Sequence, residues 1–300
     1  MFPFARIVFV FLITLAPPAW AQNLALVLSD DGGMYSEFAE TLGESLASSS
    51  WRITATPSGD PSLPDRPADL IVTVGAEALR QTLSRGVTAP LIATLLPRQN
   101  YEKALAEARR RPARITAIYL DQPIGRQAAF IRHLLPGQNR MGMLFSNETR
   151  QYANQFRTAF ANASLKLETE DSDADNTLLP ALNSLLARSN ALVAVPDGTI
   201  YRRSNIKAIL ITAFRHQRPV IGYSAAFVNA GALAAIHSTP SQIARQTADL
   251  ILAGSASLPP PSGPSQFAIT INYNVAQSLG LSIPDEATLR RAILADREAR

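Results

Sequence analysis

The sequence predicts an α/β fold of two lobes, each built on a parallel sheet, with the lobes joined by a hinge of crossing strands. Three observations predict it. Short apolar runs alternate with longer stretches of helical periodicity along nearly the whole chain. The runs are apolar throughout, as in strands covered by helices on both faces. The pattern also repeats: LVLSDDGGMYSEF (26–38) returns as MLFSNETRQYANQF (143–156). Ser29 then answers to Ser146, Tyr35 to Tyr152 and Phe38 to Phe156.

Residues 1–21, MFPFARIVFVFLITLAPPAWA, read as a secretory signal peptide. They carry one positive charge (Arg6), an apolar stretch from Ile7 to Ala16, helix-breaking Pro17 and Pro18, and the small-x-small Ala19-Trp20-Ala21. A membrane-spanning helix needs ~20 apolar residues, and the run stops short of that at the prolines. The mature chain is expected to begin at Gln22 and to be a soluble protein of a bacterial periplasm. The strands of the first unit are expected at 24–29, 52–56, 69–74, 90–95 and 115–119. A helix follows over 123–135, where Ile124, Ala128, Ile131 and Leu135 fall on one face. The second unit is expected to supply strands at 140–146, 165–169, 191–195, 219–223 and 232–236.

The repeat extends through both units. DLIVTVGAEAL (69–79) answers to ALVAVPDGTIY (191–201), and APLIATLL (89–96) to RPVIGYSA (218–225). The offsets from Ser29 to Ser146, Gly75 to Pro196 and Pro90 to Pro219 are 117, 121 and 129 residues, a slow growth that small insertions in the second copy produce. Beyond the repeat, Thr239, Pro240 and Gln242 form a capping box with proline at the first helical position. GSASLPPPSGPSQ (254–266) is a stiff connector. A last strand at 267–271 and helices at 275–279 and 285–295 close the chain. The expected division is a first lobe of 22–120, completed by about 237–300, and a second lobe of 121–236.

Composition excludes several chemistries. The chain has no cysteine, hence no disulfide, thiolate metal site or lipidated cysteine. Its net charge of +4 includes Arg6 and is too weak a bias for a nucleic-acid face. The one basic cluster, Arg109, Arg110, Arg111 and Arg114, sits where a helix runs out into a strand and suits the helix dipole. His133, His216 and His237 have no metal-ligand spacing, and neither a nucleophile elbow nor a phosphate loop occurs. The acid run Glu168, Glu170, Asp171, Asp173 and Asp175 lacks the glycine and terminal Glu of a calcium loop and reads as a solvated turn. No enzyme, cofactor or metal is expected.

Ligands of open parallel sheets bind beyond the carboxyl ends of the strands. The residues there are Ser29, Asp30, Gly75 and Ala76 in the first unit, and Ser146, Asn147, Asp197 and Tyr223 in the second. They suit a small polar or zwitterionic molecule: the helix N-terminus at Gly75-Ala76 accepts a carboxylate and Asp197 takes an ammonium. The same positions also admit structural roles. Asp30, Asn147 and Thr199 stand where helix caps are expected, and Gly75 serves a tight turn equally well.

ITAIYLDQPIGRQAAFIRHLLPGQNRMGMLFSNET (115–149) and INYNVAQSLGLSIP (271–284) together resemble the substrate-binding proteins of one group of bacterial ABC transporters, the tryptophan/tyrosine-type members. Shared elements are a helix ending in Leu-Pro before the strand that opens the second lobe, and Gly231-Ala232 before the return strand. A late Asn272, Ala276, Leu279, Gly280, Ile283 and Pro284 pattern completes the likeness, which runs from about Asp69 to Pro284. It implies two Rossmann-like lobes of the type I periplasmic binding-protein fold, closing on a small ligand for delivery to an ABC permease. A membrane sensor reading the closed form, or an enzyme with an unfamiliar site, are the alternative readings. The resemblance carries Ser29, Gly75, Ala76, Ser146, Asn147, Asp197 and Tyr223 over as pocket residues of a monomer. The first helix is shorter than in the family, and Asp30-Asp31-Gly32-Gly33 departs from its pattern.

Overall fold

The computed structural model describes residues 22–56, 68–254 and 258–296. The expected signal peptide lies outside the described residues. The first sheet contains β1 (Gln22–Leu28), β2 (Trp51–Thr56), β3 (Leu70–Val74), β4 (Leu91–Leu96) and β5 (Ile115–Tyr119). Their order is β2-β1-β3-β4-β5 and every pairing is parallel. Along β1 the side chains alternate between two cores: Leu24 and Leu26 join one, Ala25 and Val27 the other. That is why an unbroken apolar run, with no polar face, was the strand signal here. Helices α1 (Met34–Leu46), α2 (Ala76–Ser84) and α3 (Arg98–Glu107) connect the strands.

The second sheet repeats the plan with β6 (Arg140–Phe145), β7 (Lys166–Asp171), β8 (Ala191–Val193), β9 (Val220–Gly222), β10 (Ala234–His237) and β11 (Ala268–Ile271). Its order is β11-β10-β9-β8-β6-β7, with only β11 antiparallel. Helix α4 (Ile124–Leu134) enters this lobe, and α5 (Ala153–Asn162), α6 (Asp175–Arg188), α7 (Arg203–Arg215) and α8 (Ala225–Asn229) follow. Met141, Met143 and Phe145 face one core while Leu144 faces the other. Burying one such side chain contributes ~1.5–3 kcal/mol.

The tail of the chain corrects one expectation. Of everything after residue 237, which the sequence assigned to the first lobe, α9 (Pro240–Leu252) and the stretch beside β5 lie there. Ile243, Ala244, Ala248 and Ile251 of α9 pack into the core with Phe38 and Leu42 of α1. Ser262 then pairs with Ile118 along the outer edge of β5, and Tyr119 N–H donates to Ser262 O at 2.9 Å. β11, α10 (Tyr273–Ser278) and α11 (Glu286–Ala295) join the second lobe instead. The physical reason is the free edge of β10, which an antiparallel strand closes. Asn272 caps α10, its Oδ1 accepting from Val275 N–H at 3.1 Å, while its amide donates to Val228 O at 3.3 Å.

The chain thus passes between lobes at 120–123, 237–240 and 263–267. The three passages are tied together. Gln122 Nε2 donates to Ser238 Oγ at 2.8 Å, and Ser238 Oγ donates to Gln266 O at 2.6 Å. Arg126, 9 % exposed, donates to Gln122 Oε1 and Pro264 O and lies over the Phe267 ring. Gly263 sits so close that a Cβ there would stand 2.8 Å from Asp121 O.

Glu168, Glu170 and Asp171 of the acid run lie on the edge strand β7, while Asp173 sits in the exposed turn after it and Asp175 opens α6. Glu168 pairs with Arg140, Lys166 and Arg188, Glu170 with Arg188, Asp171 and Asp173 with Arg150, and Asp175 with Arg202. His237 ends β10 and meets Thr270 Oγ1 of β11 at 2.9 Å. His133 Nε2 lies 3.3 Å from Asp296 Oδ2.

Candidate functional site: the cleft between the lobes

The strand ends of both sheets face a cleft whose floor is the first passage between lobes. Leu120, Asp121, Gln122, Pro196 and Tyr223 meet at its base. One side opens into a cavity of about 560 Å³ lined by Arg98, Tyr119, Asp121, Gln127, Tyr152, Gln155, Phe156 and Ser262. The other side opens into a mouth of about 810 Å³ between Ala76, Gln99, Asn100 and Glu102 of the first lobe and Asn147, Glu148, Gln151 and Gly198 of the second. Both volumes fall in the range of small-molecule sites, ~300–1,000 Å³.

The start of α3 bridges the cleft. Gln99 Nε2 donates to Pro196 O at 2.6 Å, Arg98 Nη1 donates to Gln155 Oε1 at 3.2 Å, and Tyr152 OH donates to Glu102. Arg98 also pairs with Glu102 at 2.7 Å and lies 4.8 Å above the Tyr152 ring. Its charge is therefore already matched. Asp121 is different. Its Oδ2 accepts from the backbone N–H of Arg98 at 2.7 Å, and burial pushes its carboxyl up to about 6 against that bond, one from its own backbone N–H and the Arg98 charge. Burial raises the Tyr119 hydroxyl to about 12, with the Arg98 charge opposing, and burial raises Tyr152 too, with help from Glu102.

The residues expected from sequence divide into three groups. Ala76 and Asn147 line the mouth and Tyr223 lines the base. Tyr223 also packs edge-on against Tyr201 and Phe227, and its burial raises its hydroxyl. Ser29, Gly75 and Ser146 support the walls. Ser29 Oγ accepts from Ala78 N–H at 2.9 Å at the start of α2. Gly75, at φ +93°, allows this approach, since a Cβ there would stand 2.5 Å from Ser29 Oγ. Asp30 is exposed and accepts from Asp31 and Gly32 N–H, a local turn rather than a cap for α1.

Asp197 is the fourth wall residue, and its carboxylate is occupied. It is 3 % exposed. Oδ2 accepts from the hydroxyls of Ser146 and Thr149 and from Ser146 N–H, while Oδ1 accepts from Thr199 and Ile200 N–H at 3.0 Å. Five donors saturate a carboxylate, so its work is to hold the 146–149 and 197–200 turns together. Glu148 Oε2 adds a bond from Gly198 N–H at 3.1 Å across the same turns.

Sequence reasoning missed Arg98, Gln99, Tyr119, Asp121 and Gln122. The strand-end rule applied to β5, and to the helix start after β4, points to them. Asn147 was placed by the same rule, and its side chain bonds Arg150 at 2.7 Å.

A family model described as ABC transporter substrate binding protein matches residues 62–293. Among solved structures, the ABC domain in complex with L-Trp from Streptococcus pneumonia is 18 % identical, covers 91 % of this chain and 98 % of its own, and has a TM-score of 0.62. A conserved domain protein from Vibrio cholerae gives 18 % identity, 92 % and 98 % coverage and a TM-score of 0.61. The ligand-free, open structure of CD0873, a substrate binding protein with adhesive properties from Clostridium difficile, gives 14 %, 88 %, 96 % and 0.65. No curated protein matches the sequence. With its two lobes in the type I periplasmic binding-protein arrangement, the chain belongs to the ABC transporter substrate binding protein family.

Proposed function

We propose that the chain is an exported, periplasmic solute-binding protein of an ABC-type uptake system, without catalytic activity. It takes a small polar ligand, an amino acid or related carboxylate, between its lobes and presents the closed form to a membrane permease. The observation that carries this reading is the set of bonds from α3 to the second lobe, Gln99 to Pro196 O and Tyr152 to Glu102, above a floor of tied passages. Such contacts form only when the lobes approach, and a ligand touching both lobes shifts the balance toward that state by its differential affinity.

Within the cleft the polar groups have distinct parts. The start of α2 at Ala76 suits a carboxylate. Asp121, whose carboxylate takes backbone donors alone and no side-chain donor among the described residues, suits a cationic group better than the saturated Asp197 does. Tyr119, Tyr152 and Phe156 supply flat apolar surface beside it.

Thermal unfolding against a panel of amino acids and small carboxylates tests the proposal. A ligand at 100 times its Kd adds about 2.7 kcal/mol and raises the midpoint visibly. Chemically intact recovery of the hit after incubation separates binding from turnover. A panel without hits, together with no small molecule released from the denatured protein in mass spectrometry, overturns the reading.

A further inference from the structure

The basic cluster seen in the sequence takes on a shape in the structure. Helices α2 and α3 both start at the cleft and run to the far end of the first lobe, ~13–15 Å away. At that end they border a groove of about 590 Å³. Its floor is apolar, with Leu83 and Ala104 buried, and Arg80, Arg85, Arg109 and Arg110 rim it. Gly86, at φ +67°, ends α2 by turning the chain, and its missing Cβ would lie 3.9 Å from Arg110 Cδ.

The charge in this groove exceeds what the helices require. Arg80 pairs with Glu77, and Glu107 on the lining lowers the net charge by one. The side chains of Arg85, Arg109, Arg110 and the adjacent Arg111 enter no ion pair or hydrogen bond among the described residues. The C-terminal ends of α2 and α3 contribute about −0.5 each, which leaves an excess of about two positive charges around one concavity.

We propose that this groove binds a phosphate-bearing anion, an ester whose carbon skeleton rests on the Leu83–Ala104 floor while the arginines take its oxygens. Guanidinium groups bind phosphate oxygens pairwise, which suits them to this task better than a point charge. The ester is either soluble or the headgroup of a lipid, and the chemistry of recognition is the same. The groove adjoins the mouth of the cleft, with which it shares Arg80, Ala104 and Glu107, while Leu83, Arg85, Arg109 and Arg110 belong to the groove alone.

The test uses two probes, glycerol phosphate in titration calorimetry and phosphatidylglycerol-containing vesicles in flotation, with phosphatidylcholine vesicles as reference. The groove variant carries Arg85→Gln, Arg109→Gln and Arg110→Gln. A control with the same change of charge carries Arg157→Gln, Arg203→Gln and Arg215→Gln on exposed surface elsewhere. All six positions are exposed, and matched unfolding midpoints verify folding. The groove variant is expected to lose at least about tenfold in affinity for a bound probe while the control keeps it. Binding of glycerol phosphate identifies a soluble ester, and flotation with anionic vesicles alone identifies a lipid surface. Binding of neither probe, or equal loss in both variants, overturns the proposal.

Discussion

Replacing Asp121 with Asn should stabilise the protein at neutral pH, and by an amount that depends on pH in a defined way. The carboxyl is raised from 3.8 to about 6, chiefly by burial. A carboxyl whose folded value lies above its unfolded value favours the folded state only when protonated. Its penalty is absent below pH 3.8, grows between pH 3.8 and 6, and is complete above that. A shift of about two units corresponds to ~3 kcal/mol. Asn keeps an oxygen to accept from Arg98 N–H and removes the charge. Urea unfolding of both proteins at a series of pH values gives the difference directly, because all other titrating groups cancel. The two should agree near pH 4 and diverge in favour of Asp121→Asn by up to ~3 kcal/mol at pH 7. A flat difference across that range, or an Asn variant that is weaker at pH 7, refutes the reasoning. A cationic ligand in the cleft would reverse the order, because it favours the ionised Asp121; the holo protein should then prefer Asp over Asn.

Three further outcomes follow from the geometry. Gly75→Ala should cost about 2–5 kcal/mol in denaturant unfolding, since it combines a left-handed φ with a Cβ pressed against Ser29 and Tyr35. Asp197→Ala should destabilise the ligand-free protein by ~3 kcal/mol or more, because it strands the Ser146, Thr149, Thr199 and Ile200 donors; an unchanged unfolding curve would return Asp197 to the ligand. Tyr201→Phe should be neutral or stabilising by about 1 kcal/mol in thermal unfolding, since the Tyr201 hydroxyl is buried with no hydrogen-bond partner among the described residues.

The strands and their double-sided burial were legible because a run such as Leu70–Val74, apolar but for Thr73 and buried at every position, has few other uses. The capping box at Thr239 and Gln242 was legible for the same kind of reason, a local bond between near neighbours. Residues joined over long separations were not. Nothing near Asp197 in the sequence shows that Ser146 and Thr149 saturate it. The destination of β11 depended on which sheet had an edge left open, a property of the assembled lobes. Arg98 and Gln99 escaped notice because the first residues of a helix read as capping, while here they reach across to the other lobe.

The course of the chain also sets a timetable for folding. The first lobe begins to emerge from the ribosome first, yet α9 and the strip at Ser262 reach it only after the 124–237 portion of its neighbour has been made. At ~5–20 residues per second, that interval is on the order of ten seconds. Throughout it the strip of α1 carrying Phe38 and Leu42, later covered by Ile243, Ala248 and Ile251, has no cover of its own. A truncation before Pro240 should therefore yield an aggregating product, not a smaller folded one, and nascent chains of that length are the natural clients for a holding chaperone.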